Sequence, residues 1–227
     1  MNVPVIAIDG PSGSGKGTIA RHVARRLGWH LLDSGALYRL VAMDGIARGV
    51  EPGDEAGHAQ IAASLDARFE TDPLGNERVI LGGRDVTLDL RTEAAGAEAS
   101  RVAAMPAVRT ALLERQRSFA EPPGLVADGR DMGTVVFATA PLKVYLTASA
   151  EERAARRYKQ LKEKGLTANL ADLSQEILNR DRRDTTRPVA PLRPATDAVV
   201  IDSTGMPIEA VVDQVLALAK KRIPGAL

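Results

Sequence analysis

The sequence predicts an α/β protein: a three-layer core around a five-stranded parallel sheet, with a small antiparallel insertion and a short helical lid. Three observations carry that prediction. Apolar, β-branched runs at Val3–Asp9, His30–Asp33, Leu125–Ala127, Lys143–Thr147 and Ala198–Ile201 read as buried strands. Helical periodicity separates them, as the crossovers of a parallel sheet require. Between the first strand and the first helix lies Gly10-Pro11-Ser12-Gly13-Ser14-Gly15-Lys16-Gly17-Thr18.

That glycine-rich stretch has the context of a phosphate-binding loop. Glycines let backbone N–H groups crowd around phosphate oxygens, and the helix N-terminus adds partial positive charge. A lysine can then reach the β- and γ-phosphates, and a hydroxyl can ligate magnesium. Gly10, Gly15 and Lys16 fit the general pattern G-x-x-x-x-G-K-[ST], but Gly17 occupies the hydroxyl position and Thr18 follows one residue later. Ile19, Ala20, Val23, Ala24 and Leu27 continue at helical spacing, and Gly28 reads as the C-cap.

Composition narrows the function. The 227 residues suffice for one sizeable core, or a core with a small appended domain. A net charge of +1 argues against a dedicated nucleic-acid or membrane-surface protein, and 3% aromatic content leaves few platforms for stacking bases. The absence of cysteine excludes disulfides, thiolate metal sites and a cysteine nucleophile, and three scattered histidines speak against a histidine metal site. The apolar first residues lack a basic leader and run directly into the glycine loop, and no apolar run reaches membrane-spanning length. A cytoplasmic protein is the expectation. Arginine outnumbers lysine, which suits bidentate recognition of phosphates.

Asp33-Ser34-Gly35 ends the second strand at the sheet's carboxyl edge, where open α/β folds bind ligands. Ser34 is expected to cap a helix with Leu37, Leu40, Val41 and Ile46 on its apolar stripe and Tyr38 and Arg39 in its first turn. A first-turn arginine opposes the helix dipole, which hints at an anionic ligand.

From Glu51 to about Arg91 the pattern changes. A short helix over Asp54–Ala63 precedes strands at Leu65–Thr71 and Arg78–Leu81, joined by Pro73-Leu74-Gly75-Asn76, and Gly82-Gly83 turns the chain before Asp85-Val86-Thr87. Short antiparallel strands break the βαβ rhythm, so this is read as an inserted lobe. Helices are expected at Glu93–Met105 and Ala107–Phe119, separated at Pro106.

After Pro122-Pro123-Gly124, the third strand ends in Asp128-Gly129-Arg130-Asp131. An acidic residue there, beside a phosphate loop, is where a second magnesium anchor is expected. Ser149 caps a helix whose exposed face is expected to carry Arg153, Arg156, Arg157, Lys159 and Lys162. Gly165 interrupts it, and Leu170–Arg187 returns with Arg180, Asp184 and Arg187 on one face. Solvated ion pairs alone would account for such a face; beside a phosphate loop, a cationic hairpin suits a lid that neutralises transferring phosphate. Pro188, Pro191 and Pro194 mark an extended linker to the fifth strand, whose exit loop is Asp202-Ser203-Thr204-Gly205. Pro207 starts a last helix with Ile208, Val211, Val212, Val215, Leu216 and Leu218 facing inward.

Taken together, the phosphate loop, Asp33-Ser34-Gly35, Asp128-Gly129-Arg130-Asp131 and the Arg180–Arg187 face resemble the bacterial cytidylate kinases, within the nucleoside monophosphate kinase group of the P-loop fold. The resemblance runs from about Val5 to the final helix, and Gly-Lys-Gly-Thr is similar to the loop this group carries. It implies ATP-dependent phosphorylation of CMP and dCMP with magnesium. From the residues themselves, the partners expected are free nucleotides, with neither nucleic acid nor membrane, and a monomer is expected because both ends read as exposed elements of one domain. The resemblance further implies a P-loop kinase core at 1–50 and 92–227 with the lid at about 153–187, and a nucleotide-binding lobe at 51–91.

By the same resemblance, ATP contacts fall to Gly10 through Thr18 with Arg153 and Arg156, and Thr18 supplies the magnesium hydroxyl. Ser34, Ser100, Arg109, Asp131 and Arg187 match positions that contact cytosine, Asp184 and Arg180 those holding the sugar, and Arg39 and Arg130 those gripping the CMP phosphate, with Tyr38 beside them. Ser100 and Arg109 are placed by the surrounding Ala99–Arg109 run. Lys16, Asp128, Arg130, Arg157 and Arg180 form the expected catalytic set.

The chemistry agrees. An acceptor phosphate is already anionic, so no general base is needed; the catalyst must hold two repelling anions in line and exclude water. A carboxylate acceptor such as Asp131 favours the amino group of cytosine over the carbonyl of uracil. The nearest rivals are a P-loop kinase with another acceptor, such as AMP, UMP or a non-nucleotide, and a nucleotide-dependent switch. The Asn-Lys-x-Asp element of guanine-reading switches is absent.

Overall fold

The computed structural model describes residues 3–226 except 72–76, 164 and 166, so the Pro73–Asn76 turn lies outside the described residues. The chain runs β1 (Val5–Asp9), α1 (Lys16–Leu27), β2 (His30–Asp33), α2 (Ser34–Ala47) and α3 (Glu55–Ala63). Then come β3 (Ala67–Thr71), β4 (Glu77–Leu81), β5 (Arg84–Asp85), α4 (Glu93–Val102) and α5 (Pro106–Arg117). It closes with β6 (Leu125–Gly129), β7 (Leu142–Thr147), α6 (Ala150–Glu163), α7 (Leu170–Thr186), β8 (Val199–Asp202) and α8 (Ile208–Arg222). Two compact units result: Met1–Asp33 with Arg117–Leu227, and Ser34–Gln116.

The first unit holds the predicted parallel sheet, in the order β2-β6-β1-β7-β8. Every residue of β1 is buried, as its unbroken apolar run requires. Ile6, Ile8, Val126, Val144 and Leu146 pack against Ile19, Ala20 and Val23 of α1 and Val211, Val212 and Val215 of α8 in one core. Gly28 ends α1 in the left-handed region (φ +66°), its N–H turned back to Ala24 and Arg25. The register aligns Asp9 with Gly129 and Asp33 with Asp128, so the strands' carboxyl ends gather these carboxylates beside the glycine loop.

Several expectations for this unit need correction. Met132–Val136 forms a single π-helical turn after β6 that no periodicity announced. In α6, Arg153 is buried rather than on the exposed face, although Ser149 caps the helix by accepting Glu152 N–H at 3.1 Å. Helix α7 stops at Thr186, leaving Arg187 as an extended C-cap beyond the face it was expected to share. Pro207 is the residue before α8, and Ile208 faces solvent at 49% exposure instead of inward.

The second unit contains the antiparallel sheet β3-β4-β5, within a body larger than residues 51–91. Gly82 and Gly83 both have positive φ (+53° and +79°), the conformation a tight hairpin between β4 and β5 demands. Asp54 caps α3 by accepting Gly57 N–H at 2.9 Å. Ser34 is the first residue of α2 rather than a cap outside it; Leu37, Leu40 and Val41 are buried, but Ile46 is 65% exposed. Helix α4 ends at Val102, three residues short of Met105, and α5 begins on Pro106 itself, whose fixed φ suits a first turn. Arg115 donates to Leu65 O and Ala67 O at 2.5 and 2.6 Å, anchoring the start of the sheet to α5.

Candidate active site

The phosphate loop is shaped by close approach. A Cβ on Gly10 would lie 2.0 Å from the Leu146 carbonyl oxygen, so only glycine passes there between β1 and β7. Gly13 and Gly15 take φ +77° and +90°. A Cβ on Gly17 would stand 3.0 Å from Asp128 Oδ2, which explains why the loop's hydroxyl is displaced to Thr18. Lys16 is buried and donates to Pro11 O at 3.2 Å. Burial, then the charges of Arg130 and Arg180, bring its ammonium down to about 7 against the opposing pull of Asp128 and Asp33.

Arg153 and Arg156 reach the loop from α6, but they grip its carbonyls. Arg153 donates to Ser12 O at 2.9 Å and Ala148 O at 3.1 Å, and pairs with Asp181 of α7 at 2.6 Å. Arg156 donates to Ser14 O at 3.2 Å and Ser203 O at 2.6 Å, and pairs with Glu152. Arg157 is half-buried and donates to Gln160 Oε1 at 3.1 Å. Ser203 is a residue that sequence reading passed over: its hydroxyl lies 3.1 Å from Ser14 O and 3.0 Å from Thr147 O. Its exit loop carried no signal beyond polarity.

Beyond β6, Arg130 Nε donates to Asp184 Oδ2 at 2.9 Å, both side chains mostly buried. Burial opposes charge on each, yet the pairing outweighs it: Arg130 is held above its ordinary value and Asp184 below. Arg187 Nη2 faces Asp131 Oδ1 at 3.6 Å, with each side chain 4% exposed. Arg180 acts electrostatically on both Lys16 and Asp184. This unit therefore brings Lys16, Asp128, Arg130, Asp131, Arg180, Asp184 and Arg187 to one carboxyl edge, alternating cations with carboxylates.

In the second unit, Ser34, Tyr38, Ser100 and Arg109 are buried and Arg39 is half-buried. The Arg109 guanidinium stands 5.6 Å from the centre of the Tyr38 ring and donates to Ala103 O at 3.1 Å.

Among the described residues, no group of three or more His, Cys, Asp or Glu is placed to hold a metal. The Thr18 hydroxyl in the first turn of α1 and the Asp128 carboxylate beside Gly17 suit a cation bound chiefly by phosphate oxygens and water, as magnesium is. No described helix is long and apolar enough to cross a membrane.

Residues 6–221 match the family described as Cytidylate kinase. The chain is 60% identical over 215 residues to the cytidylate kinase of Pseudomonas paraeruginosa, covering 94% of both chains. It is 58% identical over 227 residues to that of Pseudomonas syringae pv. tomato, 99% of each, and 56% identical over 224 residues to that of Shewanella loihica, 99% of this chain and 97% of the relative. With a phosphate loop, a cationic α6–α7 hairpin and a sustained match along nearly its whole length, the chain belongs to the cytidylate kinase family.

Proposed function

We propose that this protein transfers the γ-phosphoryl group of ATP directly to CMP and dCMP, giving ADP with CDP or dCDP, with magnesium as cofactor. The observation that carries the reading is the set of cations at one sheet edge, the buried Lys16 with the half-buried Arg130 and Arg180, next to the Arg130–Asp184 and Arg187–Asp131 pairs. Two anions must be brought together, and these cations offset their repulsion while the buried setting strengthens the attraction.

The glycine loop binds the triphosphate through backbone N–H groups, and Lys16 draws the β- and γ-phosphates toward the acceptor. A triphosphate beside Lys16 restores the full ammonium charge that burial weakens. Magnesium, held by Thr18 Oγ1, phosphate oxygens and water with Asp128 close by, supplies further neutralisation when bound. Arg39 and Arg130 grip the CMP phosphate, Asp184 and Arg180 the sugar. Ser34, Ser100, Arg109, Asp131 and Arg187 read the base, with Tyr38 supporting Arg109. Arg157 is the lid arginine left for the transferring group, since Arg153 and Arg156 hold loop carbonyls. The core at 1–50 and 92–227, the lobe at 51–91 and the lid at 153–187 are the parts we assign to closure. A cytoplasmic monomer completes the reading.

The test is ADP formation from ATP and magnesium across CMP, dCMP, UMP, AMP, GMP and no acceptor. Strong turnover with CMP and dCMP, little with UMP and almost none without acceptor is the expected pattern. Preference for AMP or UMP would overturn the base assignments, and turnover without any acceptor would point to an NTPase.

A further inference from the structure

Asp9 ends β1, one residue before the phosphate loop, and its side chain is buried. Both of its oxygens are engaged: Oδ1 accepts Met132 N–H and Oδ2 accepts Gly133 N–H, each at 2.8 Å. These donors open the π-helical turn Met132–Val136, whose cap is Asp131. The turn is closed on itself by Val135 and Val136 N–H donating to Asp131 O. Holding its first two amides therefore holds the backbone of Asp131. The carboxylate faces Asp128 and Asp131, an unfavourable place for a third negative charge, and burial adds to that cost. Asparagine, of the same size, offers one acceptor and one donor and so cannot accept both N–H bonds side by side.

We propose that Asp9 is a positioning residue for base selection: by clasping Met132 N–H and Gly133 N–H it sets the turn from which Asp131 meets the pyrimidine. Asp9 acts through the backbone and touches no nucleotide. The inference rests on the reading of Asp131 as the acceptor for the cytosine amino group. Because Gly10 follows Asp9 directly, one strand end carries both the phosphate loop and the anchor of the base-reading turn.

The test measures kcat/KM for CMP and UMP, KM for ATP and the melting temperature in the wild type, Asp9→Asn, Asp131→Ala and the double variant. Asp9→Asn is expected to lower the CMP:UMP ratio about tenfold through KM for CMP, the order expected for one buried donor left unpaired, while KM for ATP moves less than about twofold. In the Asp131→Ala background the same substitution changes the ratio no further. Asp131→Ala altering the ratio while Asp9→Asn does not overturns the proposal alone. An unchanged ratio in Asp131→Ala overturns the reading beneath it, and the proposal with it. Should Asp9→Asn not fold, Gly133→Ala probes the same clasp, since a Cβ there lies 3.4 Å from Asp9 Oδ2 and 3.2 Å from the Lys143 side chain. A smaller fall in the ratio is expected; no fall overturns the proposal.

Discussion

Arg153 and Asp181 form a two-point ion pair, Nη2 to Oδ2 at 2.6 Å and Nη1 to Oδ1 at 3.1 Å, that ties α6 to α7 while the same guanidinium holds Ser12 O. The hairpin and the phosphate loop thus share one buried cation. Asp181→Ala is expected to cost about 3 kcal/mol, the lower end for breaking a buried pair, because the aspartate keeps some solvent contact. KM for ATP should rise with it as the loop loosens. Urea unfolding and ATP kinetics decide the matter, and a stability change below about 0.5 kcal/mol would place this pair with ordinary surface bridges.

Gly17 makes room for Asp128. Substituting alanine puts a methyl 3.0 Å from Oδ2 and forces the carboxylate aside. We expect kcat to fall about ten- to a hundredfold from the displaced group. Stability should change by less than about 1 kcal/mol, since alanine favours the helix that glycine weakens. Steady-state kinetics beside thermal melts would show this, and full activity in Gly17→Ala would remove any role for the Asp128 position.

Acid should separate Asp184 from its neutral analogue. Arg130 overcomes burial to hold the Asp184 carboxyl below its ordinary value, so the pair's stabilisation is present above the unfolded value near 3.8 and is lost as pH falls below it. Asp184→Asn is therefore expected to be less stable than the wild type at pH 7, and the gap should close below about pH 4. Urea midpoints for both proteins across that range test this; a gap independent of pH would mean the pairing contributes nothing.

Asp9 carries the opposite sign. Burial, outweighing the N–H bonds from Gly133 and Met132 and aided by the charges of Asp131 and Asp128, raises its carboxyl to about 7. The folded protein then binds up to one more proton than the unfolded chain between about pH 4 and 7, so this group's contribution to stability declines as pH rises through that window. Relative to Asp9→Asn, the wild type should lose stability between pH 5 and pH 8. A constant difference in unfolding free energy would show that Asp9 is ionised throughout.

Much of the fold was legible because its causes are local. The buried run before Gly10, the helix closed by Gly28 and the paired turn at Gly82-Gly83 depend on chemistry within a few residues, and each formed where its pattern lies. Errors came where a pattern marks a face without saying what covers it. Ile46 and Ile208 fit apolar stripes but reach the ends of their helices, beyond the packing surface. Arg153 shares α6 with the half-buried Arg156 and Arg157, yet it alone of the three is buried, on the side of the helix that faces the loop's carbonyls.

The sequence by itself determined the element types, the phosphate loop and the family, since local propensity, apolar periodicity and short motifs are written in neighbouring residues. Tertiary structure alone decided the strand order that sets β6 beside β1 and the pairing of Arg130 with Asp184, 54 residues away. It also decided the clasp of Asp9 on amides more than 120 residues distant. Those relationships depend on which charges and unpaired amides share one buried edge, where low dielectric makes each partner matter and no local rule selects it.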